Sequence, residues 1–90
     1  MDVTEVKVFP VSKDDERLKA FATITFDDCF IVRDLKVIDG NEGLFVAMPS
    51  KKRKDGQYKD IAHPLNNNMR EVIESAVLNE YKDELVRVTA

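Results

Sequence analysis

A change of hydrophobic period, two-thirds of the way along the 90-residue chain, does most to limit how it can fold. Polar and apolar residues alternate in residues 5–9 and again in residues 18–26, which is typical of strands with two different faces. In residues 69–81 the apolar residues recur at spacings of three and four, which indicates an amphipathic helix. The sequence therefore predicts the α+β class: a small antiparallel β-sheet of about five strands, built from β-hairpins, followed by a C-terminal amphipathic helix.

Turn-forming residues separate the predicted strands, because the Asp side chain can bond to its own backbone and Gly adopts positive φ without steric cost. Within the strand-forming residues 30–38, Arg33 and Asp34 interrupt the alternation, which indicates either a β-bulge or a change of face. Both alternatives stay open at this point. The predicted turns are residues 12–17, Asp27-Asp28 and residues 39–43.

The last predicted hairpin carries an unusual concentration of charge. Residues 44–48 are predicted to form a short strand that ends at Pro49, with residues 58–62 as its partner. A run of cations followed by an Asp-Gly turn signal lies between them, so these cations are predicted at a hairpin tip. The cations are Lys51, Lys52, Arg53 and Lys54.

The predicted helix covers residues 68–83, after strands in about residues 3–64. Asn68 and Glu71 have the spacing of a capping box, which predicts a helix start near Asn68. After Asp83 the chain is predicted either to continue the helix or to form a short extended tail. The apolar stripe expected to face the sheet consists of Met69, Val72, Ile73, Ala76, Val77 and Tyr81.

The length fits one domain, residues 1–90, with a thin core, because a chain of this size buries only about 60–65% of its unfolded surface. The second predicted strand also has apolar residues on both faces, with Phe21 opposite Ala22 and Ile24, so we expect a homodimer. No apolar run approaches the roughly 20 residues of a membrane span. The start of the chain lacks the pattern of a signal peptide, so a cytoplasmic location is predicted. The single Cys29 is predicted to be a buried small residue.

The charge of the chain is unevenly distributed. Its formal net charge is −3, yet residues 50–60 hold five cations and two anions, which leaves nine cations and fifteen anions elsewhere. Such a cluster attracts a polyanion, because each phosphate contact releases condensed counterions. A solubilising surface is the simpler interpretation, but an otherwise acidic chain gains no solubility from one cationic segment.

Arg70 is a second candidate because a cation in the first turn of a helix opposes the helix dipole, by up to ~1 kcal/mol. This predicts a compensating role, either a phosphate contact or an ion pair. The rest of the solvent-facing side of the helix is mainly acidic, with Lys82 as its one other cation, which argues against placing that whole side in a DNA groove. Its acids are Glu71, Glu74, Glu80 and Asp83.

The residues do not predict an enzyme, and no cofactor, metal site or small-molecule substrate is expected. His63 is the only histidine and precedes Pro64, which favours extended backbone and a structural or exposed role. No nucleophile elbow or Gly-rich phosphate loop occurs. The acidic pairs lie where turns are expected, so turn formation explains them better than metal binding.

Several sequence blocks, in this order, carry a resemblance to a known family: AFATITFDDCF at residues 20–30, VRDLKVI at 32–38, GLFVAMPSKK at 43–52, DIAHP at 60–64 and MRE at 69–71. They closely resemble the SpoVG family of bacterial septation regulators, the stage V sporulation protein G family. The resemblance covers nearly the whole chain and is more specific than any short motif.

The resemblance implies a small antiparallel sheet with a C-terminal helix, a homodimer, and a cytoplasmic regulator of septation and sporulation that binds DNA and, in some members, RNA. Carried over by position, the family's cationic site falls on Lys51, Lys52 and Arg53, with support from Arg70. The family usually has fewer cations before its Asp-Gly turn, so Lys54 is a departure. Since the family also occurs in bacteria without spores, the resemblance does not assign sporulation to this chain.

Two interpretations remain open beside this one. The protein could instead be an interaction adaptor of the division machinery, in which the cations dock on an acidic protein or a sheet edge captures a peptide strand. Tyr58 and Phe45 could offer a stacking surface to an unpaired base, or they could pack in the core and across strands.

Overall fold

The computed structural model describes residues 1–11 and 17–89, with side chains described up to Arg87. Within these residues, six strands are followed by one C-terminal helix, which confirms the α+β class. The first four strands form one antiparallel sheet in sequence order, and the last two form a separate small sheet. The elements are β1 (Val3–Pro10), β2 (Leu18–Phe26), β3 (Phe30–Gly40), β4 (Gly43–Ala47), β5 (Ser50–Lys52), β6 (Tyr58–Asp60) and α1 (Asn67–Thr89).

The core lies between one face of the four-stranded sheet and α1. Because side chains alternate along a strand, every second residue of β2 points toward the helix, as the sequence predicts. The other face of this sheet, called the open face below, is covered by no element of the described residues. The buried core residues are Val8, Ala20, Ala22, Ile24, Phe26, Leu35, Val37, Val46, Met48, Ile73, Val77 and Tyr81.

Two irregularities at the β2–β3 pairing have positive φ angles. Asp27 and Asp28, at φ 50° and 55°, form the predicted tight turn. Further along β3 the register shifts and Asp34 has a φ of 65°, so the interruption at Arg33 and Asp34 is a β-bulge. The bulge lets the residues on either side of it keep facing the core.

Cys29 is exposed, so the prediction of a buried cysteine is wrong. Its amide donates to the Phe26 carbonyl at 3.0 Å and closes the β2–β3 turn, which holds the residue at the surface. The predicted charged connection at residues 12–17 falls largely on residues 12–16, which lie outside the described residues.

The start of α1 differs from the prediction. The Asn66 side chain caps the helix, because its Oδ1 accepts a hydrogen bond from the Met69 amide at 2.8 Å. The Asn66 carbonyl also accepts from the Arg70 amide at 3.2 Å. The predicted capping box of Asn68 and Glu71 is wrong, because Asn68 already lies inside the first turn.

The residues of α1 that contact the core match the predicted apolar stripe, except that Leu78 replaces Val72. Val72 is 47% exposed and not part of the core, whereas Leu78 packs against the core residues. The helix continues past residue 83, where the Arg87 guanidinium donates to the carboxylates of Glu80 and Glu84. These hydrogen bonds, to Glu80 first and then Glu84, raise the pKa of Arg87.

The last hairpin pairs differently from the prediction. β6 pairs with β5, whereas β4 pairs with β3, so the predicted pairing of residues 44–48 with residues 58–62 is wrong. β4 ends at Ala47, and after the buried Met48 and Pro49 the chain begins a new strand at Ser50, immediately before the cations. Lys51 and Lys52 therefore lie within a strand, and Arg53 and Lys54 lie beyond it.

Among the described residues, no helix has the length and apolar character needed to cross a membrane.

Candidate functional site

The basic arm, defined as residues 50–60, is an exposed two-stranded hairpin formed by β5 and β6. Its base is closed by a hydrogen bond of 2.7 Å from the Ile61 amide to the Pro49 carbonyl. Because Pro49 is buried while every residue of the arm is exposed, the hairpin leaves the body at this point.

Backbone hydrogen bonds fix the turn of the basic arm. The Arg53 amide donates to the Gln57 carbonyl at 2.7 Å, and the Gly56 amide donates to the Arg53 carbonyl at 3.0 Å. Gly56 has a φ of 88°, a left-handed conformation that glycine adopts readily. The Asp55 Oδ1 accepts from the Gln57 amide at 3.0 Å, so this carboxylate organises the turn.

The register of the arm brings like charges together. Lys51 lies directly opposite Lys59, and Lys52 lies opposite Tyr58. Like charges at directly opposed positions destabilise a strand pair. None of the ion pairs between described residues involves a cation of the arm. The arm therefore holds a cluster of cations without acidic partners.

These cations line a shallow concave surface that is open to solvent. Four of the five predicted site residues are brought together there, and Lys59 joins them from the opposite strand. The sequence identified Lys59 only as one of the five cations in residues 50–60, because its position opposite Lys51 depends on a pairing that the sequence did not predict. The lining consists of Lys51, Lys52, Arg53, Lys54, Lys59, Asp60 and Ile61.

Arg70 lies apart from this concave surface, in the first turn of α1. Its side chain is half-buried, and the described first turn contains no acidic residue. The positive charge thus opposes the helix dipole, as the sequence indicated, without a compensating acid in that turn. A phosphate contact by Arg70 stays a prediction.

His63 lies beside an apolar cavity of about 140 Å³ between the sheet and the start of α1. Its Nδ1 is 3.0 Å from the Pro64 carbonyl, and because that oxygen can only accept, Nδ1 carries the proton. The other described residues that line the cavity are apolar, among them Met48, Met69 and Ile73. This geometry favours a structural role for the imidazole.

The two candidate stacking residues lie on different surfaces. Tyr58 is 69% exposed in the basic arm. Phe45 is 41% exposed on the open face, where it pairs with Ile38 of β3. Neither aromatic ring belongs to the core, so both are accessible to a ligand.

These features define a small α+β protein with an exposed cationic hairpin on an otherwise acidic body. The sequence model of the SpoVG family matches residues 1–83. The chain therefore belongs to the SpoVG family.

Individual relatives agree with this assignment. A protein of an Anaeromyxobacter species is 65% identical over 85 residues, which cover 94% of this chain and 86% of the relative. A Bdellovibrio bacteriovorus protein is 66% identical, and the match covers 94% of this chain and 77% of the relative. An Agathobacter rectalis protein is 48% identical, and the match covers 98% of this chain and 100% of the relative. Each bears the name "Putative septation protein SpoVG".

Proposed function

We propose that this protein is a non-catalytic regulator of cell septation that acts in the cytoplasm. In this proposal it binds DNA, and also RNA, as a homodimer through the basic arm. The septation role is supported by the names of its relatives. The nucleic-acid role is supported by one observation above all: the arm holds Lys51 directly opposite Lys59 with no acidic partner for either.

A like-charge pair of this kind weakens the free hairpin and is relieved when a polyanion binds. Phosphates are suited to the arm because lysines supply point charges and Arg53 supplies a planar fork with several donors. The body remains acidic, with nine cations and fifteen anions outside residues 50–60, so the arm is the part of the molecule that a phosphate backbone approaches most favourably.

The charges on α1 also favour binding of nucleic acid through the arm. Glu71 and Asp83 are exposed on α1, and Glu74 and Glu80 are half-buried there. Bringing this side against a phosphate backbone would place like charges together. Binding through the arm keeps these carboxylates away from the nucleic acid.

A homodimer is part of the proposal. β1 is an outer strand of eight residues and pairs with β2 alone among the described elements. Its outer edge is a place where a second copy can add a strand and so extend the sheet. A dimer would also present two basic arms to one nucleic acid, which increases the number of phosphates neutralised.

A salt titration tests the nucleic-acid role. If two arms together neutralise about 6–8 phosphates, log affinity for duplex DNA falls against log salt with a slope of roughly −5 to −7. The measurement is fluorescence anisotropy with duplex DNA, single-stranded DNA and RNA over a range of salt concentrations. An affinity that does not change with salt would contradict the electrostatic mechanism.

Charge reversal separates this proposal from the adaptor alternative. We expect Lys51→Glu/Arg53→Glu to lower the affinity for nucleic acid about tenfold or more and to reduce the salt slope. The matched control is Arg17→Glu/Lys82→Glu, which changes the same charge at two exposed positions outside the arm. If the arm variant folds and keeps its affinity, the arm is not the nucleic-acid site, and the adaptor interpretation is favoured.

A further inference from the structure

The open face of the sheet exposes three phenylalanines. Phe9, Phe21 and Phe45 are 54%, 39% and 41% exposed, although their neighbours Val8 and Val46 are buried against the helix side. Large aromatic side chains on a sheet face that no ligand or partner covers are unfavourable, since they leave apolar surface in water. This face therefore has the character of a binding surface.

The three rings lie on three different strands. Phe9 of β1 is directly opposite Phe21 of β2, and Phe45 of β4 is opposite Ile38 of β3. The Phe45 ring lies against Gly40, where an added Cβ would come within 2.8 Å of the ring. The aromatic residues thus span the four strands, a width of about 14 Å, on a rigid support.

The charge of the open face favours an anionic ligand. Lys36 of β3 lies between Phe21 and Ala47 in the register, and its neighbours on either side along β3 are buried in the core. No ion pair between described residues involves Lys36, whereas Glu5 is 3.6 Å from Lys7. A second copy stacked on this face would bury Lys36 of both protomers, which is unfavourable without a partner for each charge.

We propose that the open face binds the unpaired bases of a single-stranded nucleic acid. Bases stack on Phe9, Phe21 and Phe45, and Lys36 contacts a phosphate between them. Sheet faces with exposed aromatic residues suit this ligand because every base has a π-face, whereas the bases of a duplex are already stacked on each other. The basic arm begins at Ser50, three residues after Ala47 of the open face, so one strand of nucleic acid can contact both surfaces.

This inference rests on the proposed nucleic-acid function and adds a preference to it. The arm binds phosphates of single and double strands alike, and the open face adds affinity only when bases are unpaired. The arm therefore accounts for general binding, and the phenylalanines account for discrimination between single strands and duplexes.

The test compares a short single-stranded DNA of mixed sequence, its duplex, and the same strand with abasic residues at its centre. Phe21→Ala and Phe45→Ala are expected to lower the affinity for the single strand about 5- to 100-fold each and to leave duplex affinity within about twofold. Phe21→Tyr is expected to keep the affinity, because it retains a ring. Val72→Ala, which truncates an exposed apolar side chain on α1, is the matched control and should change neither affinity.

The abasic strand makes the test independent of any folding defect. The wild-type protein should lose more affinity for the abasic strand than either alanine variant loses for the intact strand, because the abasic strand removes the stacking on all three rings and each variant removes one. The ratio of the affinities for the intact and abasic strands should therefore be smaller in each alanine variant than in the wild type. Equal wild-type affinity for the intact and abasic strands would overturn the inference while leaving the arm intact as a binding site. Alanine variants that sediment as monomers, beside a dimeric wild type, would also overturn it, because the face would then join two copies. If the wild-type protein binds none of the probes, the proposed function itself fails.

Discussion

At the scale of single residues, the basic arm sacrifices local stability in a way that fits the proposed binding of nucleic acid. Lys51 and Lys59 occupy directly opposed positions, where opposite charges or β-branched residues would stabilise the hairpin better. Asp55, the nearest acid in the turn, is engaged with the Gln57 amide. The arm is therefore less stable than its hydrogen bonds alone would make it.

Neutralising one member of this pair should stabilise the arm and weaken binding. For Lys59→Gln we expect the free energy of local opening to rise by about 0.2–1 kcal/mol, because the repulsion is removed. Hydrogen exchange of the Arg53 and Ile61 amides, both held by hydrogen bonds in the arm or at its base, measures this change. Affinity for duplex DNA should fall, and the salt slope should shrink by about one per arm.

The control for this prediction is Lys82→Gln, which removes an exposed cation from α1. It should leave exchange in the arm unchanged. Added salt should slow exchange in the wild-type arm, since screening weakens the same repulsion. Exchange that is unchanged or faster in Lys59→Gln would show that the two lysines do not repel each other appreciably.

At the scale of elements, α1 depends on a cap that lies two residues before the predicted one. The Asn66 side chain satisfies the Met69 amide, which would otherwise lack a partner in the first turn. The stabilising contacts at the other end are the hydrogen bonds from Arg87 to Glu80 and Glu84. The buried residues Ile73, Val77 and Tyr81 attach the helix to the sheet between these two ends.

Asn66 and Asn68 provide a matched pair for testing the cap. We expect Asn66→Ala to lower the free energy of unfolding by about 1 kcal/mol, because the Met69 amide loses its acceptor. Asn68→Ala should be neutral or slightly stabilising, because alanine is the better residue inside a helix. Urea denaturation followed by circular dichroism measures both. An equal loss of stability in the two variants would contradict the assignment of Asn66 as the cap.

At the scale of the whole molecule, the thin core and the outer strand β1 bear on the oligomeric state. One helix covers one face of the four-stranded sheet, so the protein buries a limited apolar surface by itself. Pairing of β1 with a second copy would satisfy the outer edge of the sheet. In the proposed dimer, both arms would remain available to contact nucleic acid.

We expect sedimentation equilibrium at micromolar concentration to give twice the mass of 10.3 kDa. Val6→Pro, in the middle of β1, should reduce association by disrupting a paired edge, but it also removes a backbone donor and threatens the fold. Lys7→Glu is the gentler variant, because it adds an acid beside Glu5 on the same strand and should repel a second copy in an antiparallel pair. A monomeric mass for the wild-type protein would exclude the dimer and predict a salt slope of roughly −3 to −4 for a single arm.

The sequence by itself determined the local features of this protein. The period-two pattern placed β2 at its observed bounds, the Asp27-Asp28 turn followed from its composition, and the change to a helical period located most of the buried stripe of α1. The cation run was also evident without a structure. These features depend on the backbone preferences and face alternation of neighbouring residues, so a local pattern is enough to predict them.

Only the tertiary structure decided which strands pair and which surfaces remain exposed. The two strands of the arm pair with each other instead of with β4, and Cys29 is exposed. The helix cap is Asn66, the first of three consecutive asparagines. The tertiary structure also shows that Phe21 and Phe45 share an uncovered face. Pairing, capping and burial depend on contacts between residues far apart in the chain, and the free-energy differences among alternative pairings are too small for local patterns to decide.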